Sequence, residues 1–137
     1  MKATLLYRIA SVVFLLFAAG HTLGFLKFKP LSAEGLAVRG GMKNVFFSVG
    51  SRQFSYDGFY TGFGLYITAY LIFSALLSWH MGEIANSTPQ AIGLLGWEFA
   101  ALQAATLVLS WIYFFPLTAI FSAVVFGLVA AAAWQVK

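Results

Sequence analysis

Glu98 lies roughly ten residues into a long apolar run, where an ionised carboxylate costs several kcal/mol unless it is paired, hydrated or protonated. Ala91, Ala101 and Ala105 share its helical face, so the spacing turns Glu98 toward a close helical neighbour. Arg8, in the first apolar run, enters from the same end and has the reach to meet it. A structural ion pair between them would fix helix register. A Glu98 without that partner would instead handle protons or anchor a ligand.

His21 and Asp57 form the second candidate group. His21 falls about one turn before the end of the first apolar run, and Asp57 opens the second, which places them at similar depth. A hydrogen-bonded imidazole and carboxylate can do general acid–base work, with Arg39, Arg52 and Tyr60 nearby as anion or polar contacts to a ligand; the same bond can also simply hold the intervening loop down. His21, Asp57 and Glu98 are thus the catalytic candidates. Two histidines among four apolar runs raise the question of haem, but His80 lies far along the second run from Asp57, about 25 Å in depth from His21, so the two cannot share one iron. His80 beside Trp79 reads as an interfacial anchor. Without cysteines there are no disulfides, thiolate metal sites or dithiol chemistry. No phosphate-binding loop, zinc-binding spacing or nucleophile elbow occurs, so no metal or cofactor is expected.

The elements that must position these groups are four apolar helices: 4–26, 56–81, 89–113 and 116–136, each close to the roughly 20 residues that cross hydrocarbon. The chain is 61% apolar and 9% charged, far from the balance of a soluble domain. The expected fold is therefore an all-α membrane protein, a single four-transmembrane-helix bundle with a folded loop of about 28 residues (27–55) between the first two helices. The start of the chain imitates a signal peptide, with Ala18-Ala19-Gly20 as a small-residue site, but the apolar run continues to Leu26, which argues against cleavage.

The loop holds five of the eight basic residues, Lys27, Lys29, Arg39, Lys43 and Arg52. Ser32 is placed to cap a short helix through about Met42, and Val45–Phe54 with Gly50-Ser51 at its middle reads as a hairpin. Ser55 is a candidate cap for the second span, Gly82 its stop, and Pro89 and Pro116 open the third and fourth. Asn86-Ser87-Thr88 reads as a turn. The positive charges are dispersed, which suits topology and anionic headgroups and excludes nucleic acid as a partner. Counting bases puts the loop in the cytoplasm, against the pull of Lys2 and Arg8.

Small residues indicate how the helices meet: Ala119, Ala123, Gly127 and Ala131 on the fourth, Gly96, Ala100 and Ala104 on the third, Gly20 and Gly24 on the first, Gly58 and Gly62 on the second. They serve packing within one bundle or a homo-oligomer. On the second span Asp57, Thr61, Gly64, Thr68, Ala75 and Ser78 recur at helical spacing and mark an interior seam.

His21-Thr22-Leu23-Gly24, the basic loop with Gly41-Met42, and Phe59-Tyr60-Thr61-Gly62-Phe63-Gly64 together resemble a family of small bacterial four-helix membrane proteins without an established activity. The overall plan is similar to that of the DoxX-like proteins. The resemblance covers residues 5–80 and implies the topology and a bacterial inner-membrane home, without supplying catalytic residues. Small four-helix glutathione and eicosanoid enzymes carry a charged pattern on their second span that is missing here, and small multidrug exporters place their lone Glu in the first span. The leading expectation is a membrane protein that binds a lipid, quinone or other hydrophobic small molecule, or docks onto a larger membrane complex. A membrane enzyme using acid–base chemistry on a lipophilic substrate, and a proton-coupled transporter built on Glu98, are the rivals.

Overall fold

The computed structural model describes residues 3–136; Lys2 and Lys137, which enter the charge count above, lie outside them. Five α-helices and one hairpin follow in the order α1 (Ala3–Lys27), α2 (Ala33–Asn44), β1 (Phe46–Val49), β2 (Arg52–Ser55), α3 (Tyr56–Ser87), α4 (Gly93–Tyr113) and α5 (Pro116–Gln135), with a 3-10 turn at Pro89–Ala91 before α4. The four long helices α1, α3, α4 and α5 are each long and apolar enough to cross a membrane.

Local chemistry sets most of the boundaries. Ser32 Oγ accepts the Gly35 amide at 3.0 Å and Ser55 Oγ accepts the Gly58 amide at 3.0 Å, so both serines cap helix N-termini. The strands pair antiparallel from Phe46↔Ser55 to Val49↔Arg52, leaving Gly50-Ser51 as a two-residue turn. Gly50 has φ +60 and no other residue of that turn has positive φ, which suits glycine at the first central position. Proline at the first position of α5 gives up an amide that has no helical partner anyway.

Two boundaries differ from expectation. Gly82 does not stop the second span: α3 continues to Ser87, and Gly82 is buried where α1 approaches closely. A Cβ there would sit 3.2 Å from the Thr4 carbonyl oxygen and 3.3 Å from Arg8 Cγ. The glycine permits packing rather than a turn. Pro89 opens a 3-10 turn, closed by Ala91 N–H to Thr88 O at 2.9 Å, and α4 begins only at Gly93, whose φ is +41.

By internal packing the chain divides into two compact units, and α1 and α3 each contribute residues to both. The first comprises the described residues up to Phe17 and from Leu71 onward, a bundle of four helical segments. Its core contains Tyr7, Phe14, Leu71, Met81, Val125 and Val129, all at 1% exposure or less. Phe14 meets Phe99 at 5.9 Å between ring centroids, and Phe17 stacks on Phe121 at 5.1 Å. Ser110 and Ser122 hydroxyls bond at 2.9 Å and tie α4 to α5 in the interior. Gly96 lets Tyr7 reach α4, since a Cβ there would lie 2.9 Å from the Tyr7 hydroxyl.

The small-residue stripe on α5 is not its packing face. Ala119 is buried, but Ala123, Gly127 and Ala131 are exposed, and the interior is made by Ser122, Val125, Val129, Ala132 and Ala133. A strict four-residue spacing drifts about 40° per step around a helix of 3.6 residues per turn, so the stripe leaves the core within two turns.

The second unit, Ala18–Tyr70, contains the end of α1, α2, the hairpin and the start of α3. Phe47 fastens the hairpin to α3, with rings at 5.0 Å from Tyr56 and 5.6 Å from Phe59, and the Tyr56 amide donates to Val45 O at 3.3 Å.

Gly82→Leu should lower the melting temperature in detergent, at a cost of about 1–3 kcal/mol from overpacking. Gly127→Leu, where a Cβ meets nothing within 4 Å, should leave it within a degree or so of the parent. Thermal unfolding followed by circular dichroism compares them; equal effects would contradict the assignment of the packing faces.

Candidate functional site

Gly64 organises the second unit. Having no side chain, it admits the ring of Phe25, which occupies the space a Cβ would need, and it leaves its own carbonyl open to α1. His21 Nε2 lies 3.0 Å from that oxygen. A carbonyl only accepts, so the imidazole carries its proton on Nε2 and, when neutral, presents Nδ1 as a lone-pair acceptor. Among the described residues Nδ1 has no hydrogen-bond partner, and the ring is only half-buried.

A pair of threonines braces this crossing. Thr22 Oγ1 donates to Ala18 O at 2.7 Å, which uses its one hydrogen, so at the 2.8 Å contact with Thr68 the Thr68 hydroxyl is the donor. Thr68 lies 3.3 Å from Gly64 O, a weaker secondary contact that leaves His21 as the better donor to that carbonyl.

Rings and charges continue from His21 along the unit. His21 and Phe25 are parallel at 5.8 Å, Phe25 and Tyr60 lie 5.4 Å apart, and the Arg39 guanidinium stands 5.4 Å from the Tyr60 ring centre. Arg39 Nε approaches Asp57 Oδ1 at 2.9 Å, at an angle that makes an ion pair rather than an aligned hydrogen bond. Asp57 sits in the first turn of a capped helix, where the dipole also favours its negative charge. The two side chains keep only 26% and 20% of their exposure.

The expected bond between His21 and Asp57 is therefore not formed. Asp57 precedes Gly64 by two helical turns, about 10 Å along α3, so the imidazole meets the backbone while the carboxylate meets Arg39. The structure joins His21, Tyr60, Arg39 and Asp57 through Phe25. Arg52 stays apart on β2, exposed, 5.5 Å from the Phe54 ring. Phe25, Thr22 and Thr68 were missed as members of the site. Thr68 was visible as part of the α3 seam, and that seam is internal: Gly64, Ala75 and Ser78 are buried, and Asp57, Thr61 and Thr68 partly so.

Glu98 and Arg8 do not pair either. Arg8 lies 5.1 Å from the Trp79 ring centre, the Trp79 indole N–H donates to Glu83 Oε1 at 3.1 Å, and His80 Nδ1 is 3.6 Å from Glu83 Oε2. Glu98 is exposed, because the inward face of α4 is Gly96, Phe99, Ala100, Gln103 and Ser110. Ala101 and Ala105, which share its face, are exposed with it. Among the described residues no group of three histidine or acidic side chains is placed to hold a metal ion.

The chain matches no family model, no curated protein and no solved structure. The residues themselves therefore carry the argument. They assemble a half-buried imidazole with one committed and one free nitrogen, an aromatic ladder, and an ion pair at the capped start of α3.

Arg39→Met should leave Asp57 without its counter-charge and loosen α2 against α3, at a cost of about 1 kcal/mol for a pair that is mostly but not fully buried. Arg39→Met combined with Asp57→Asn should recover part of that loss. Amide hydrogen exchange over residues 33–58 in detergent measures both; independent, additive effects would show that the two side chains are not coupled.

Proposed function

We propose that this chain is an integral membrane protein that crosses the bilayer four times, and that the α1–α3 face around His21 holds the polar end of a membrane amphiphile, a lipid or a quinone. The membrane reading rests on four helices of sufficient length and hydropathy and on their outward-facing apolar side chains. Within the first unit a groove between α4 and α5, lined by Val108, Trp111, Ile112, Ala119, Ile120 and Ala123, is apolar throughout, as a lipid-facing surface would be. Nineteen residues separate Arg8 from Lys27 on α1, about 28 Å, which matches the hydrocarbon thickness and sets one cation near each interface. The resemblance to small bacterial four-helix proteins supports an inner-membrane home.

The observation that carries the ligand reading is the free Nδ1 of His21, held in place by the Nε2–H bond to Gly64 O. It lies about 9 Å along α1 from Lys27, inside the hydrocarbon edge, where a hydrogen bond to a ligand is not diluted by water. Neutral, it accepts from a hydroxyl; protonated, it donates to a carbonyl or phosphate oxygen. Phe25 and Tyr60 offer a flat apolar wall beside it, and Arg39 stands at the polar end. An acid–base enzyme, expected to use either His21 with Asp57 or Glu98, loses the His21–Asp57 dyad and keeps Glu98. The transporter reading keeps one observation in its favour, the exposed Glu98 with no ion-pair partner among the described residues, and Glu98→Gln in proteoliposomes tests it by proton flux.

Native mass spectrometry of protein released gently from its own membrane should show one amphiphile at fixed stoichiometry, and His21→Ala should reduce its retention by about tenfold, the worth of one buried hydrogen bond. Release of an empty chain, alone or with a larger partner, would replace this reading with a scaffold or transporter role.

A further inference from the structure

The segment between α1 and α3 combines two properties that water does not reward together. Its large apolar side chains are exposed: Leu31 completely, Val38 at 64%, Val49 at 63%, Phe46 at 58% and Phe28 at 52%. α2 buries no residue at all. The same segment carries five cations against Glu34, with Asp57 at its edge already committed to Arg39. Lys27, Lys29, Lys43 and Arg52 are all exposed, and among the described residues none of them pairs with a carboxylate. Four cations against one free acid leave a net charge of about +3 on an apolar surface.

We propose that α2 and the hairpin lie in the membrane interface as a collar that binds anionic phospholipid headgroups. This rests on the membrane reading above and is separate from the His21 ligand. Both ends of the segment emerge from apolar helices, at Lys27 and Tyr56, so its backbone starts and finishes at one membrane surface. Exposed phenylalanine, leucine and valine beside lysine and arginine is the chemistry of a monotopic element, with the apolar side chains among the upper acyl groups and the cations at phosphate level. Stacking of Arg52 on Phe54 holds one of those cations against the apolar surface. Each cation near an anionic surface adds roughly fivefold to binding, and the effect falls with salt. The folded hairpin, pinned by Phe47 on Tyr56 and Phe59, keeps this surface from collapsing onto itself.

The test uses the full chain in detergent, titrated with mixed micelles of equal phosphatidylglycerol and phosphatidylcholine, with bound lipids counted by native mass spectrometry. The collar predicts an enrichment of phosphatidylglycerol of about tenfold or more, reduced to near parity in the triple variant Lys29→Gln, Lys43→Gln, Arg52→Gln and by raised salt. A nitroxide on Leu31→Cys, the sole cysteine in that variant, reads depth independently. Oxygen accessibility exceeding that of a water-soluble nickel complex places residue 31 below the headgroups as the collar requires. Equal retention of the two lipids, or a nitroxide open to nickel, would overturn the collar and leave the four-span reading intact. Failure to retain any lipid would overturn both.

Discussion

Hydrocarbon offers neither hydrogen bonds nor counter-ions, so a chain that lives in it must satisfy its backbone within helices and carry its charges near their ends. On the proposed membrane reading, that constraint accounts for where the charges of each unit lie. In the first unit Arg8, Glu83 and His80 gather around Trp79, and in the second Arg39 pairs with Asp57. The buried polar side chains of the first unit are small hydroxyls and an amide, among them Ser74, Ser78, Gln103 and the Ser110–Ser122 pair.

Close approach of the helices then depends on where a side chain is missing. Gly82 admits α1 to α3 in the first unit and Gly64 admits Phe25 in the second. The second case underlies the proposed function, because one absent side chain does two things. It opens a backbone carbonyl to His21 and gives Phe25 a floor, and the imidazole is thereby fixed with Nδ1 unused. Thr22 and Thr68 brace the same crossing from one turn away. The amphiphile proposed above would need a donor or acceptor of known direction beside a flat apolar wall, which is what His21 and Phe25 would offer it.

Features governed by local chemistry were legible in the sequence. Ser32 and Ser55 cap, Gly50-Ser51 turns and Pro116 starts a helix because each acts within a few residues. The α3 seam was legible because polar and small residues recur at helical spacing among apolar ones. What failed was the direction of single side chains on α4 and α5. Two faces of α4 carry small residues, one with Gly96 and Ala100, the other with Ala101 and Ala105, and alanine is equally at home against lipid and against a helix. Phe99 packing on Phe14 selects the first, which turns Glu98 outward. The His21–Asp57 pairing failed because a carboxylate looks like the stronger acceptor, while depth along the helix favours a backbone oxygen two turns away.

The fourfold crossing proposed above would put α2 and the hairpin on one side of the membrane and the α3–α4 connection on the other. Since the chain has no native cysteine, single cysteines report sidedness without background. Labelling of intact cells and inverted vesicles with a membrane-impermeant maleimide should find Ser51→Cys and Phe115→Cys reactive from one side. Asn86→Cys and Gln135→Cys should react from the other, and Val108→Cys from neither. Reaction of Ser51→Cys and Asn86→Cys from the same side would contradict the account.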